Sequence, residues 1–219
     1  MENLNIAVLA SGRGSNFQAI IDAVETGALK GVTVRLLLSD KQKAFAIERA
    51  RKHGIEFLVM SPGQFSSRDD YFAHVADEMR KHHIGLIILA GFMRLVGKTL
   101  IDAFPNRIMN IHPALLPSFP GLHGQKDAVE YGVRISGCTV HFVDEGMDTG
   151  PVIIQAAVPV MPDDTEGTLS ARILCCEHAI YPEAIRLFAE NRLDIEGRTV
   201  RIKNLPTSDA FLIWPPLRS

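Results

Sequence analysis

NIAVLASGRGSNF, residues 5–17, decides how the chain folds. Residues 6–10 are apolar without a break, which suits a parallel strand covered on both faces better than one wetted on one side. Ser11-Gly12-Arg13-Gly14-Ser15-Asn16 then gives the backbone room for a sharp turn. After it, Phe17, Ile20, Ile21 and Val24 recur at helical spacing. A strand, a glycine turn and an amphipathic helix open a βαβ unit, and the alternation continues outward. Strand-like runs are expected at residues 5–10, 32–39, 56–60 and 85–90, with helices between them. Phe72, Val75, Ala76 and Met79 form a helical stripe behind Ser67-Arg68-Asp69-Asp70, which has capping-box spacing. The pattern predicts an α/β fold with a doubly wound, mostly parallel sheet and helices on both faces.

After residue 105 the style changes. Residues 107–112 read as a strand ended by Pro113, and 125–131 as a short helix closed by Gly132 in the left-handed position. Residues 135–143 and 151–160 read as strands on either side of the loop 144–150. Residues 165–191 are helical, with Leu169, Ile173, Cys176, Ile180, Ala184 and Leu187 on one stripe, and Pro182 is expected to kink or split this helix. No linker separates the halves, so 1–202 is expected as a single domain. Residues 203–219, with Pro206, Pro215, Pro216 and Trp214, are expected as an extended tail.

Composition narrows the function classes. The 219 residues are 47% hydrophobic and 22% charged, which excludes a disordered chain. Net charge is −2, so there is no global basic field for a nucleic-acid backbone, and any phosphate must be held locally. Cys138, Cys175 and Cys176 make no disulfide framework and suit a reducing cytosol. The start has no basic leader, and no apolar run approaches ~18 residues. The expected setting is cytoplasmic, away from membranes.

Several segments could carry chemistry. The glycine turn could aim backbone N–H groups at an anion above a helix N-terminus. It could equally be a tight turn with Ser15 and Asn16 capping the helix. It is neither a Walker loop nor a full dinucleotide fingerprint, because Phe17 stands where a third glycine would be; Asp40 could imitate a ribose-binding acid. In Arg107-Ile-Met-Asn-Ile-His-Pro113, Asn110 and His112 are two apart and share a strand face. A carboxamide and an imidazole at a strand's carboxyl end suit a developing oxyanion, or they simply bond nearby backbone. Asp148-Thr-Gly-Pro151 occurs once, which rules out an aspartic-protease pair. An Asx-type turn and a carboxylate that partners a histidine remain open. The eight histidines show no metal-ligand spacing, so no metal is expected. Ala90-Gly-Phe-Met-Arg-Leu-Val96 is either ordinary packing or the wall of a flat apolar ligand's site.

Taken in order, SGRGSNFQAI, SDKQKAFAIERARKHGI, LAGFMRLV, NIHPALLPSFPGLH, GCTVHFVDEGMDTGPVIIQ and CEHAIYP resemble the phosphoribosylglycinamide formyltransferase family, folate-dependent enzymes of purine synthesis. The resemblance implies a Rossmann-like formyltransferase fold. It also implies transfer of a formyl group from the cosubstrate 10-formyltetrahydrofolate to the amine of 5-phosphoribosylglycinamide. By resemblance Asn110, His112 and Asp148 are the catalytic trio, and Gly14, Ser15 and Asn16 hold the substrate phosphate. Glu177 contacts that substrate. Arg68, Phe92, Met93, Arg94, Leu95, Val96, Val143 and Asp144, with Asn110 and Asp148, form the folate pocket. Leu174 departs from the family, which has a polar substrate contact there. The expected partners are these small molecules, with no nucleic acid and no membrane, on a monomer or homodimer. The length argues against the two-domain tRNA formyltransferases and the formyltetrahydrofolate hydrolases. A nicotinamide-dependent dehydrogenase and a non-catalytic nucleotide module are the readings from other classes.

Overall fold

A computed structural model describes residues 3–205. Along the chain it forms β1 (Leu4–Leu9), α1 (Ser15–Glu25), β2 (Val32–Ser39), α2 (Phe45–Lys52), β3 (Glu56–Val59), α3 (Arg68–Lys81) and β4 (Leu86–Leu89). Next come α4 (Lys98–Ala103), β5 (Ile108–His112), α5 (Gly124–Tyr131), β6 (Ile135–Phe142), β7 (Val152–Pro159), α6 (Glu166–Ala189), β8 (Leu193–Glu196) and β9 (Thr199–Ile202). All nine strands join one sheet in the order β3-β2-β1-β4-β5-β6-β7-β9-β8. Strands β1 to β5 pair in parallel. The β5–β6, β6–β7 and β8–β9 pairs are antiparallel.

The unbroken apolar run at the start now has its cause. Ile6, Val8 and Ala10 pack with Phe17, Ile20 and Ile21 of α1 on one face. Ala7 and Leu9 pack with Tyr71, Phe72 and Val75 of α3 on the other. Alternate side chains from Ile6 to Leu9 feed separate cores, so none of these positions is free to be polar. Phe17 is fully buried in the first of these cores, where a fingerprint glycine would have left a gap. Ser67 caps α3 as its spacing predicts, its hydroxyl accepting from Asp70 N, but Asp70 turns its carboxylate to Ser66 instead of completing the box.

Some expectations are corrected. Pro182 does not split α6, which runs unbroken through it. It forgoes one N–H of the ladder, and neighbours such as Tyr181, Ala184 and Ile185 are buried against the sheet. The region 193–202, which carries no strong periodicity, forms the β8–β9 hairpin; it joins the main sheet through the single pair Val152↔Thr199. The expected tail lies outside the described residues from 206 onward.

Tyr181 ties α6 to the sheet. Its hydroxyl is fully buried and faces the carbonyl oxygens of Leu89 at 2.9 Å and Met109 at 3.0 Å, on neighbouring strands. Tyr181→Phe leaves those oxygens without this donor. It should lower stability by about 1–3 kcal/mol, seen as a lower Tm with an unchanged far-ultraviolet dichroism spectrum; an unchanged Tm would show that the bond contributes nothing net.

Candidate active site

The order reverses beside β1, because the chain leaves to one side for β2 and β3 and returns to the other for β4 and β5. A crevice opens at the carboxyl ends of the strands at such a reversal. Three adjoining hollows occupy that edge, of about 260, 280 and 350 Å³.

The first holds the glycine turn, lined by Ser11 to Asn16 together with Lys41, Ala90 and Gly91. Gly14 is the N-cap of α1 with φ +68°, and no side chain caps the helix. The alternative in which Ser15 and Asn16 cap α1 is therefore not what forms, and the helix's first amides are left for an anion. Gly14 is required twice over, by its left-handed backbone and because a Cβ there would stand 2.8 Å from Ala46 Cβ. The helix α2 braces the turn, with Ala46 N donating to Gly12 O and Arg49 Nε to Arg13 O. Asn16 reaches across to α6, where its Nδ2 donates to Glu177 Oε2 at 2.7 Å. Leu174, one turn before Glu177, is half-buried and belongs to none of the apolar clusters.

The second hollow holds the polar trio. Asn110, His112 and Asp148 line it with Phe92, Met93, Arg94, Leu95, Val96 and Val143. Asn110 and His112 share a face of β5, as their spacing predicts. The nearest His112–Asp148 approach is Nδ1 to Oδ2 at 3.4 Å, and His112 Nε2 lies 2.8 Å from the Phe119 carbonyl. Both ring nitrogens thus face oxygen acceptors. Asp148 Oδ2 also accepts from Gly121 N at 2.9 Å. Of the two readings left open for Asp148, the histidine partner is the one that forms; the Asx-type turn belongs to Asp144, whose Oδ1 accepts from Gly146 N and Thr149 Oγ1. Asp148 sits at φ +55°, a conformation that Asp and Asn tolerate best among side-chain-bearing residues. Gly150 follows because any side chain there would run into the Phe142 carbonyl.

His141 is the residue that sequence reasoning missed. It pairs with Asn110 across the β5–β6 ladder, so both project to the same edge. Its Nδ1 lies 2.8 Å from the Phe142 carbonyl and its Nε2 3.2 Å from Asn110 Nδ2. With Nδ1–H donating, Nε2 accepts one Asn110 amide hydrogen and leaves the other for the hollow. Burial holds His141 below the usual histidine pKa, against the opposing pulls of the Phe142 carbonyl and Asp148, so it stays neutral and can accept. Only the antiparallel register could have revealed this pair, and register is not written in either strand alone.

Two predicted pocket residues do not line the trio's hollow. Arg68 lines the third hollow, and its Nη2 donates to the carbonyls of Leu95 at 2.9 Å and Val96 at 3.1 Å. It props the segment 92–96 from the rear. Asp144 braces its own loop and is not among the lining residues. Asp40 does not stand free as a ribose acid; it is buried and ion-paired with Arg94.

Together the winding and the polar residues at its carboxyl edge define an α/β protein with an open crevice at the switch point, and comparison with known proteins gives the class. The formyl transferase family model matches residues 4–185. The chain belongs to the formyl transferase family. It is 46% identical over 190 residues to the phosphoribosylglycinamide formyltransferase of Escherichia coli, covering 87% of this chain and 89% of that one. It is 47% identical over 190 residues to the trifunctional purine biosynthetic protein adenosine-3 of Drosophila pseudoobscura pseudoobscura, covering 86% of this chain but only 14% of that protein's length. Among solved structures, glycinamide ribonucleotide transformylase 1 of Symbiobacterium toebii superposes with TM-score 0.90 at 52% identity, over 91% of this chain and 94% of that one. No helix among the described residues is long and apolar enough to cross a membrane.

Burial raises the pKa of Glu177 above the usual carboxylate value, partly offset by the Asn16 hydrogen bond. A raised folded pKa means that its stability contribution is full below the unfolded value and is lost as pH climbs through the folded one. At neutral pH the buried charge therefore burdens the fold. Glu177→Gln should melt higher than the parent at pH 7, and the gap should close below the usual carboxylate range; a lower Tm at pH 7 would refute the burden.

Proposed function

We propose that this chain transfers the formyl group of 10-formyltetrahydrofolate to the amine of 5-phosphoribosylglycinamide, a step of purine biosynthesis. The observation that carries the reading is the shared wall: Met93 borders both the anion turn and the hollow of the trio. One ligand's phosphate can lie on Gly14, Ser15 and Asn16 while its amine reaches toward Asn110 and His112. The flat cosubstrate fits the apolar side walled by Phe92 to Val96 and Val143. The names of relatives that match over most of their length agree with formyl transfer to a glycinamide ribonucleotide.

The chemistry follows from the groups present. The neutral amine attacks the formyl carbon, and the carbonyl oxygen gains negative charge. The free hydrogen of Asn110 Nδ2, held in place by His141, and the protonated ring of His112 stabilise that charge. Asp148, beside the His112 ring, can hold a water that passes a proton from the amine nitrogen to the departing N10. The C–N10 bond breaks, and tetrahydrofolate leaves with that proton. Glu177 and Asn16 meet the ribonucleotide from the α6 side. No step calls on a metal. We assign residues 1–202 to one formyltransferase domain, acting as a monomer or homodimer in the cytoplasm on small molecules, apart from membranes and nucleic acid.

The direct test incubates the purified chain with 10-formyltetrahydrofolate, with and without 5-phosphoribosylglycinamide. Formylated ribonucleotide formed only when the amine is supplied supports the reading; formate released at equal rate without it would make the enzyme a hydrolase. His112→Ala should lower kcat by roughly 10²–10⁴, and Asn110→Ala by about 10²–10³. His141→Ala should fall short of Asn110→Ala, since it disorders the amide without removing it. Near-parental kcat in folded Asn110→Ala or His112→Ala would remove the trio.

The turn has its own measurement. Asn16→Ala should raise KM for the ribonucleotide far more than KM for the folate, because the turn is assigned only to the phosphate-bearing ligand. Equal rises in both would take the phosphate off this turn.

A further inference from the structure

Asp40 ends up in an unusual position. It follows β2 and its side chain is only 1% exposed, whereas its partner Arg94 is 42% exposed. Arg94 Nε donates to Asp40 Oδ2 at 2.7 Å, and among the described residues Oδ1 has no hydrogen-bond partner. The hydroxyl of Tyr71, also buried without a partner there, is close enough to feel both charges. A buried ion pair adds little net stability, because desolvating the carboxylate offsets the attraction. The pair therefore does little for the fold, and its effect falls on the exposed partner. Arg94 borders both the trio's hollow and the one behind it, in the segment 92–96 that separates them. The segment is held from three sides: Arg68 grips the Leu95 and Val96 carbonyls, Ser11 Oγ accepts from Met93 N, and Asp40 holds the Arg94 side chain. Of these anchors, the Asp40 contact is the one that fixes where the Arg94 head points.

We infer that Asp40 is a positioning residue for the cosubstrate: it pins Arg94 against the wall of the cleft and thereby sets the affinity for the folate, without touching either substrate. The inference rests on the proposed function, since it takes the 92–96 segment as the folate wall. Without the carboxylate, Arg94 can turn into water, where an exposed guanidinium is well hydrated. The fold then loses little, and the cleft loses an ordered side chain. A stability contact and a positioning contact thus predict opposite outcomes.

The test uses the whole chain carrying Asp40→Asn, with Asp40→Ala as a second variant. Tetrahydrofolate binding is measured by calorimetry under nitrogen, together with both KM values, kcat and Tm. Asp40→Asn should weaken tetrahydrofolate binding and raise folate KM by about 3- to 30-fold, within the range of a lost coupling between contacting groups. The ribonucleotide KM, kcat and Tm should stay close to the parent. In an Arg94→Met background, Asp40→Asn should add nothing further. Unchanged or tighter tetrahydrofolate binding in the folded variants would overturn the inference, as would a lower Tm with intact binding or an Asp40→Asn effect that persists without Arg94. If the parent itself binds no tetrahydrofolate, the functional reading fails first and the inference falls with it.

Discussion

Strand β1 from Ile6 onward and strand β4 are apolar on both faces, and the placing of the site follows from that. Alternate residues of β1 enter different cores, and Leu86 to Leu89 are buried throughout. A parallel sheet covered on both sides leaves its functional groups only one outlet, the carboxyl edge, where strands give way to loops. The glycine turn after β1, the 92–96 segment after β4 and the pair Asn110 and His112 at the end of β5 are three neighbouring exits of that kind. Their proximity in space comes from strand order, since they lie far apart along the chain.

Within that edge, polarity is organised by pairing. His112, His141, Asn110 and Asp148 form one connected group, with backbone carbonyls of Phe119 and Phe142 taking up the remaining ring nitrogens. A buried polar group without partners would cost the fold free energy. The shared contacts hold the group in one arrangement and still leave an amide hydrogen of Asn110 uncommitted. Gly150 and the left-handed Asp148 show how closely the loop must approach β6 for this to happen.

Much of this was legible in the sequence, and what was not has a common cause. The strands of the first half and the faces of α1 and α3 follow from spacing alone, because each is a local property. So does the common face of Asn110 and His112. What failed depended on distant residues. Asn16 was read as a possible cap, but its amide crosses to Glu177 on α6, 161 residues away. Asp40 could imitate a ribose-binding acid by its place after β2, but it meets Arg94, 54 residues on. His141 was passed over for want of ligand spacing, yet its meaning lies in a cross-strand register. The β8–β9 hairpin escaped notice because it is short and half exposed. Roles such as that of Leu174 came from resemblance, and the structure adds only that this side chain stands outside the apolar clusters.

Met93 is 56% exposed and borders all three hollows at the sheet edge. Two ligands that press on one exposed side chain cannot bind independently unless each leaves it where the other needs it. By thermodynamic linkage, whatever factor the first ligand imposes on the second must be returned in equal measure. A long, unbranched thioether can shift at little cost, so the residue's identity tunes that factor. Under the proposed function, the side chain that separates the two ligands would therefore also couple their occupancies.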